Sequence, residues 1–221
     1  MSLNSVTERV AAASERVGRA PDEITIVAVS KGRSVEAIGE LYESGHRHFG
    51  ENRAEELVTK QALLPPDIRW HFVGHLQSRK ARLVRPVASV LHSLESESTA
   101  KAWLKGSGQP PPCYLQINIG REAQKYGIAP EEAAGLAGAW AGLGITLGGV
   151  MAILPVVGEP EQARPYFRQL AQIRNTIRSE IAGITDLSMG MTDDFEVAVE
   201  EGATVIRVGR AIFEPDSNLH S

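Results

Sequence analysis

A lysine that directly follows a buried strand is the first residue of this chain with a chemical role to consider. Residues 24–30 are mostly β-branched and apolar, without alternating polar positions, which is typical of a strand covered on both faces. Parallel sheets bind their ligands at the carboxyl ends of such strands. If Lys31 continues the face of Val27 and Val29, its amine lies at the strand end, partly withdrawn from water, where it could attack a carbonyl. The alternative is a lysine that keeps its charge in water.

Two later loops have the composition of anion-binding sites. They are Ser188-Met189-Gly190-Met191-Thr192 and Arg207-Val208-Gly209-Arg210-Ala211, and each joins an apolar segment to a predicted helix start. Backbone N–H groups at a helix start favour phosphate, and many (β/α)8 barrels form a phosphate site from the loops after strands 7 and 8. Together with Lys31, these loops indicate a phosphorylated ligand that carries a carbonyl. The alternative is that the hydroxyls are helix caps and the glycines are turn residues.

Two more polar residues lie at or near predicted strand ends. The strand period could point Arg207 into the protein, where a buried guanidinium needs an acceptor. That acceptor is either a ring nitrogen of a ligand or a neighbouring carboxylate. Asn52 ends the second predicted strand, where it could cap the following helix and also contact a ligand.

Four histidines raise the question of a metal site. His46 and His48 are two residues apart, which could place both on one face of the second predicted strand, while His71 and His75 flank the third. No cysteine or carboxylate completes a recognisable ligand spacing. We therefore expect structural roles or contacts at the edge of a ligand, and no metal.

The charge distribution argues against nucleic acid as a partner. The chain has 23 Lys and Arg residues against 27 Asp and Glu, a net charge of -4, so no global positive field exists. The basic cluster Arg79, Lys80, Arg82 and Arg85 lies on a predicted helical segment without interleaved aromatic residues. We expect this cluster to be a solvated helix face.

Length and composition favour one α/β domain over residues 1–221, because 43% hydrophobic residues suffice for a sizeable core. The single Cys113 excludes an intramolecular disulfide, and the first residues lack the pattern of a signal peptide. We expect a cytoplasmic monomer. The uncharged stretch 133–158 contains several glycines and Pro155, so it predicts a helix, a turn and a buried strand instead of a membrane span.

Strand and helix patterns alternate along the chain. An extra amphipathic helix is predicted over about 3–18, with Ser5 in a capping box. Eight strands are predicted at 24–30, 47–51, 69–74, 88–94, 113–119, 145–153, 185–190 and 204–209. Helical segments are predicted to start near residues 35, 53, 78, 97, 130, 161, 192 and 211. This alternation favours a parallel (β/α)8 TIM-type barrel over about 24–213, with an open doubly wound sheet as the alternative.

Six motifs in this order resemble the pyridoxal 5′-phosphate homeostasis protein family. They are Ala28-Val29-Ser30-Lys31, Phe49-Gly50-Glu51-Asn52, Trp70-His71-Phe72-Val73-Gly74-His75-Leu76-Gln77-Ser78, Gly149-Val150-Met151-Ala152-Ile153, Leu187-Ser188-Met189-Gly190-Met191 and Arg207-Val208-Gly209-Arg210-Ala211-Ile212-Phe213. The similarity extends over nearly the whole chain. That family has the barrel fold of the N-terminal domain of alanine racemase and carries pyridoxal 5′-phosphate (PLP) as an aldimine.

The resemblance implies roles for individual residues. Lys31 would be the aldimine lysine, and Arg207 would face the pyridine nitrogen. The phosphate would be held by Ser188, Gly190, Gly209 and Arg210. The pocket would be lined by Asn52, His71 and Met151. The family often has a small hydroxyl residue where this chain has Arg210, which leaves open whether its side chain or only its backbone N–H contacts the phosphate.

The resemblance also implies a function. Such a protein holds PLP, limits the free aldehyde and could pass the cofactor to apo-enzymes that depend on PLP, without catalytic turnover. The alternative is an amino-acid racemase of the alanine racemase type, which needs acid–base groups on both faces of the ring. In that family the second group is a tyrosine from an additional β-domain, and only eight residues follow Phe213 here, so we expect the binding role. A barrel aldolase is a weaker third reading, because it would have no use for Arg207.

Overall fold

The computed structural model describes residues 2–213, and eight parallel strands within them form a closed barrel. Each strand pairs with the next along the chain, and β8 pairs with β1. The strands are β1 (Thr25–Val29), β2 (His48–Glu51), β3 (Arg69–Phe72), β4 (Val90–Leu94), β5 (Cys113–Ile117), β6 (Leu147–Ala152), β7 (Asp186–Ser188) and β8 (Val205–Val208). The predicted barrel is confirmed, and the open sheet is wrong. The predicted strand ends differ from the observed ones by at most two residues.

Helices alternate with the strands, as the sequence pattern predicts. Those in the described residues are α1 (Leu3–Arg16), α2 (Val35–Glu43), α3 (Ala54–Leu63), α4 (Ala81–Val84), α5 (Glu97–Leu104), α6 (Ala133–Gly142), α7 (Arg164–Arg178), α8 (Phe195–Glu200) and α9 (Arg210–Phe213). Short 3₁₀ turns precede β1, α4, α6 and α7. The start predicted near Thr192 is early, because residues 192–194 form a turn before α8 begins.

Strand residues alternate between two packed layers. Outward side chains, among them Phe49, Trp70 and Phe72, are buried in the main core between the strands and the helices. A second apolar cluster joins β1, β5, β6 and β8 across the barrel, and it consists of Val27, Tyr114, Met151 and Val205. Strands on opposite sides can make these contacts only through the barrel interior, which is therefore filled by side chains.

Helix α1 lies outside the barrel and supports the helix that follows β7. Its buried face presents Val6, Val10 and Ala13, and it packs chiefly against α8. The guanidinium of Arg9 contacts the carboxylate of Glu196 on α8, with Nη2 and Oε2 at 2.7 Å. This helix therefore braces the element that begins after the predicted anion loop of β7.

Two local predictions need correction. The capping residue of α1 is Ser2, whose hydroxyl accepts the N–H of Ser5 at 3.4 Å; the predicted capping box is wrong because the helix begins earlier. Arg85 is not solvated. It is buried, and its guanidinium donates to the carbonyl oxygens of Ser107 and Gly108 at 2.8 and 2.6 Å, so it ties down the loop after α5.

The uncharged segment 133–158 folds as predicted, into α6, a turn and β6. Gly144, with φ of 97°, allows the chain to reverse between them. No helix in the described range is long and apolar enough to span a bilayer.

Candidate functional site

Lys31 lies two residues beyond the end of β1, in a turn, and its side chain is exposed. Of the two alternatives for this amine, the structure has the one that keeps it in water, because the strand ends at Val29. Val27 pairs with Arg207 across β1 and β8, and a Cβ added to Gly209 would lie 3.1 Å from the Val29 carbonyl oxygen. Lys31 therefore emerges beside the Gly209 turn, at the carboxyl end of the barrel.

A buried ion cluster holds the backbone on both sides of this lysine. The Nζ of Lys60 donates to the carbonyl oxygen of Ser30 at 2.7 Å and contacts one carboxylate oxygen each of Glu51 and Glu56 at 2.6 Å. The same Glu56 oxygen accepts the N–H of Gly32 at 2.7 Å. Because Ser30 and Gly32 flank the lysine, this cluster fixes where its side chain leaves the barrel end.

Glu51 is the most deeply buried member of the cluster, with no exposed surface. Burial raises the pKa of its carboxyl, while hydrogen bonds from Lys60 and from the Ser30 hydroxyl at 2.7 Å act in the opposite direction. Sequence reasoning missed this cluster. The available signal was the four-residue spacing of Glu56 and Lys60 on one predicted helix, which places both side chains on the same face.

Arg207 points into the barrel, as the strand period predicts, and only 5% of it is exposed. Its Nη1 donates to the Ser188 hydroxyl at 2.6 Å and its Nη2 to the Ala152 carbonyl oxygen at 2.9 Å. Burial lowers the pKa of the guanidinium to about 10, against the opposing effect of the Asp194 carboxylate. At neutral pH the group therefore remains charged.

A chain of three imidazoles continues from Ser188 across the barrel interior. Its hydroxyl lies 2.9 Å from Nδ1 of His92, Nε2 of His92 lies 2.9 Å from Nδ1 of His71, and Nε2 of His71 lies 3.0 Å from Nδ1 of His48. Sequence reasoning missed His92 and the chain itself. The signal was that β2, β3 and β4 each carry one histidine at an inward position.

The three imidazoles are neutral near pH 7. Burial lowers the pKa to about 4 for His48, to about 3 for His71 and well below the ordinary value for His92. Neighbouring positive groups add to this effect: Arg69 acts on His48 and His71, and Arg207 acts on His92. A neutral imidazole donates from one nitrogen and accepts at the other, as a continuous chain requires.

Three residues predicted to contact the cofactor lie inside the barrel. His71 is the middle member of the imidazole chain, and Met151 belongs to the apolar cluster. The Ser188 hydroxyl is fully buried and engaged by Arg207 and His92. Within residues 2–213 these two contacts occupy the hydroxyl, so we expect the phosphate to depend on the backbone N–H groups of the two loops instead.

The two predicted anion loops depend on glycine for close packing. Gly190 has φ of 90°, and a Cβ there would lie 2.6 Å from the Cβ of Ala198. Gly209 leaves room for the end of β1, as described above. The Arg210 side chain is exposed and paired with Asp193, with Nη2 and Oδ2 at 2.5 Å. We therefore expect Arg210 to offer an anion its backbone N–H.

Asn52 brings an unused acceptor to the same end of the barrel. Its Oδ1 is buried and has no hydrogen-bond partner within residues 2–213. Gly74, after β3, allows this approach, because a Cβ there would lie 2.2 Å from the Asn52 carbonyl oxygen. A buried acceptor of this kind is normally satisfied by a donor, and a bound ligand with an O–H or N–H group would supply one. Amine, guanidinium, glycine loops and acceptor together fit PLP.

Comparisons with known proteins show the family of this chain. The family described as alanine racemase, N-terminal domain, matches residues 1–216. The pyridoxal phosphate homeostasis proteins of Aquifex aeolicus and Escherichia coli are 36% and 38% identical, over 96% of this chain and 95% and 94% of the relative. PipY of Synechococcus elongatus, solved with PLP bound, has 33% identity and a TM-score of 0.77, over 94% of this chain and 99% of that chain. The chain belongs to the alanine racemase N-terminal domain family and, within it, to the pyridoxal phosphate homeostasis proteins.

Proposed function

We propose that this protein binds PLP covalently through Lys31 and acts in PLP homeostasis. The observation that carries the proposal is the presence, at one end of the barrel, of an exposed lysine amine, the Gly209 turn and the buried guanidinium of Arg207. PipY, with 33% identity over nearly the full length of both chains, binds PLP in its solved structure, which supports the same ligand here.

Each part of the site matches one part of the cofactor. Lys31 would bind at the aldehyde carbon, and the loops at Gly190 and Gly209 would hold the phosphate through backbone N–H groups. Arg207 would donate to the ring nitrogen, and Asn52 would accept a hydrogen bond from the ligand. PLP itself supplies a reactive aldehyde and an electron-withdrawing ring.

The role we propose is binding without turnover. Arg207 is charged, has only donors and has no proton to give up near neutral pH, so the ring nitrogen opposite it stays unprotonated. An unprotonated ring withdraws electrons less well than one paired with an acidic residue. The curated relatives are named homeostasis proteins, which supports this role over a racemase.

The proposal is tested by the fate of the cofactor. Purified protein mixed with PLP should turn yellow, and borohydride should fix the label on the peptide that contains Lys31. Lys31→Ala should abolish the fixed label. Lys101→Ala, which removes an exposed lysine paired with Glu97 on its own helix, should keep it. A label that persists in Lys31→Ala would contradict the assignment.

We further propose that the loaded protein donates PLP to apo-enzymes in the cytoplasm. The exposure of Lys31 supports this, because an incoming amine can reach it. Loaded protein should reactivate a PLP-dependent apo-enzyme faster than the free PLP in equilibrium with it can. Equal rates would mean that the apo-enzyme takes up only the free cofactor.

A further inference from the structure

A row of polar side chains inside a barrel needs an explanation, because each buried polar group must find a partner. The imidazoles of His48, His71 and His92 and the hydroxyl of Ser188 form such a row, with contacts of 2.9–3.0 Å, and it ends at Arg207. Apolar side chains of the interior cluster would fill the same space without this requirement. The row therefore has a role other than filling space.

Arg207 fixes the direction of the hydrogen bonds. A guanidinium has donors only, so the Ser188 oxygen must accept from Nη1. The hydroxyl proton of Ser188 then needs an acceptor, and His92 Nδ1 is the other partner of this oxygen among the described residues. A reversed row would leave that buried proton without an acceptor, which is unfavourable.

The same direction passes along the imidazoles. If His92 accepts at Nδ1, its proton lies on Nε2 and points to Nδ1 of His71. His71 then donates from Nε2 to Nδ1 of His48. His48 is only half-buried, at the start of β2, so water can accept the last proton. Every imidazole in the row is thus a neutral Nε2–H tautomer.

We propose that His48, His71 and His92 are positioning residues, which with Ser188 form a one-way hydrogen-bond chain that holds Arg207 as a donor toward the ring nitrogen of the cofactor. This inference rests on the proposed function, which places that nitrogen opposite Arg207. Ser188 and the Ala152 carbonyl each take one end of the guanidinium, so its remaining N–H groups are directed elsewhere. The chain selects a ring with an acceptor at that position.

The direction of the chain can be tested in the protein without ligand. Nitrogen-15 NMR of labelled histidine distinguishes the two neutral tautomers and the charged form. At pH 7 we expect Nε2–H for His48, His71 and His92. An Nδ1–H tautomer or a charged ring at any of the three would overturn the proposal.

A variant tests the long-range coupling. Arg207→Met frees the Ser188 hydroxyl, so the nitrogen shifts of His92 and His71 should change. The shifts of His75, which is exposed and contacts Glu95 outside the chain, should not. Unchanged shifts at His92 in a folded Arg207→Met protein would count against the chain.

Ligand binding separates this inference from the proposed function. His92→Phe and Ser188→Ala should weaken PLP binding about tenfold, the effect of one lost hydrogen bond to a charged group. They should not change binding of a PLP analogue whose ring nitrogen is replaced by C–H. Ser14→Ala, at a buried serine of α1, should change neither.

Each outcome has a distinct meaning. If the unaltered protein fails to bind PLP, the proposed function fails. Suppose that PLP binds to the unaltered protein. If the variants then weaken the binding of PLP and of its analogue equally, or weaken the binding of neither, the positioning chain is wrong.

Discussion

The Nζ atom of Lys60 lies 2.7 Å from the carbonyl oxygen of Ser30, the residue before Lys31. The position of the candidate reactive lysine therefore depends on a second, buried lysine from α3. Lys60 is itself buried against Glu51, with Nζ and Oε1 at 2.6 Å. Removing one partner of such a pair leaves the other charge buried and unpaired, which costs more than the pair contributes.

Lys60→Met should lower the free energy of unfolding by about 3–5 kcal/mol, measured by urea denaturation. Lys101→Met removes an exposed ion pair with Glu97, and it should change stability by less than about 1 kcal/mol. Adding Glu51→Gln to Lys60→Met should recover part of the loss, because the fully buried carboxylate is then no longer left unpaired. Equal small losses in both lysine variants would show that the cluster is not a fixed support.

The phosphate should dominate cofactor affinity. Hydrogen bonds to a charged acceptor contribute about 1.5–3 kcal/mol each, so pyridoxal without phosphate should bind at least about tenfold more weakly than PLP. Absorbance titration measures both affinities, and titration of free lysine in solution corrects for the intrinsic reactivity of the two aldehydes. Comparable corrected affinities would mean that the loops at Gly190 and Gly209 are misassigned.

Gly190→Ala should destabilise the protein by about 1–3 kcal/mol, because alanine is strained at φ of 90° and its Cβ would overlap Ala198. Gly138→Ala is the matched control. It lies exposed in α6 with open space around its Cβ position, and should stabilise by about 0.5–1 kcal/mol. Thermal unfolding of both variants measures these changes in stability. A Gly190→Ala protein as stable as the unaltered one would contradict the packing argument.

Stability should fall as the pH drops below the ordinary histidine pKa of 6.5. The pKa of His71 is lowered to about 3 in the folded protein, by burial and by the charges of His48 and Arg69. Between these two values the unfolded chain binds a proton that the folded protein does not, so the free energy of unfolding rises with pH and is lost on acidification.

His71→Gln removes the imidazole that binds this proton in the unfolded chain. From about pH 6 to 5 its slope of unfolding free energy against pH should be smaller than that of the unaltered protein by up to about 1.4 kcal/mol per pH unit. Glu51 and Asp194, whose pKa values are raised by burial, act in the opposite direction but cancel in the comparison. Parallel curves for the two proteins would mean that His71 is charged in the fold.

Bound PLP should be chemically quiet toward amino acids. Because Arg207 leaves the ring nitrogen unprotonated, we expect little exchange of the α-hydrogen of alanine or serine with deuterium, and no net change of configuration. Mass spectrometry and chiral chromatography measure these two quantities. Racemisation at about 1 s⁻¹ or faster, within the usual enzyme range, would favour the racemase instead.

The barrel and its two glycine loops were predictable because their signals are local. Each strand is a short apolar run bounded by turn residues, and eight alternating units favour a closed barrel over an open sheet. Lys31 and Arg207 could be placed from the ends and periods of their strands. The turn at Gly190 was predictable because glycine is the residue that best tolerates the positive φ of such a turn.

The side-chain contacts between residues far apart in the sequence were not predictable. The Ser188 hydroxyl was assigned to a phosphate because its loop has the composition of an anion site, and its contact with Arg207, from the next strand, was not foreseen. The side chain of His92 meets His71 only after the barrel closes. Lys60 was not singled out from the sequence, since its acceptor at Ser30 is 30 residues away in the chain.

The filled interior of the barrel limits how a ligand can enter and leave. Val27, Tyr114, Met151 and Val205 meet across the barrel, so no tunnel leads through the part of the chain that the structure describes. The end that carries Lys31 would then be both entrance and exit for the cofactor. Any molecule that covers this end therefore slows loading and release together. If the protein donates PLP as proposed, an acceptor enzyme would have to approach the face by which the cofactor came in, and two acceptors could not be served at once.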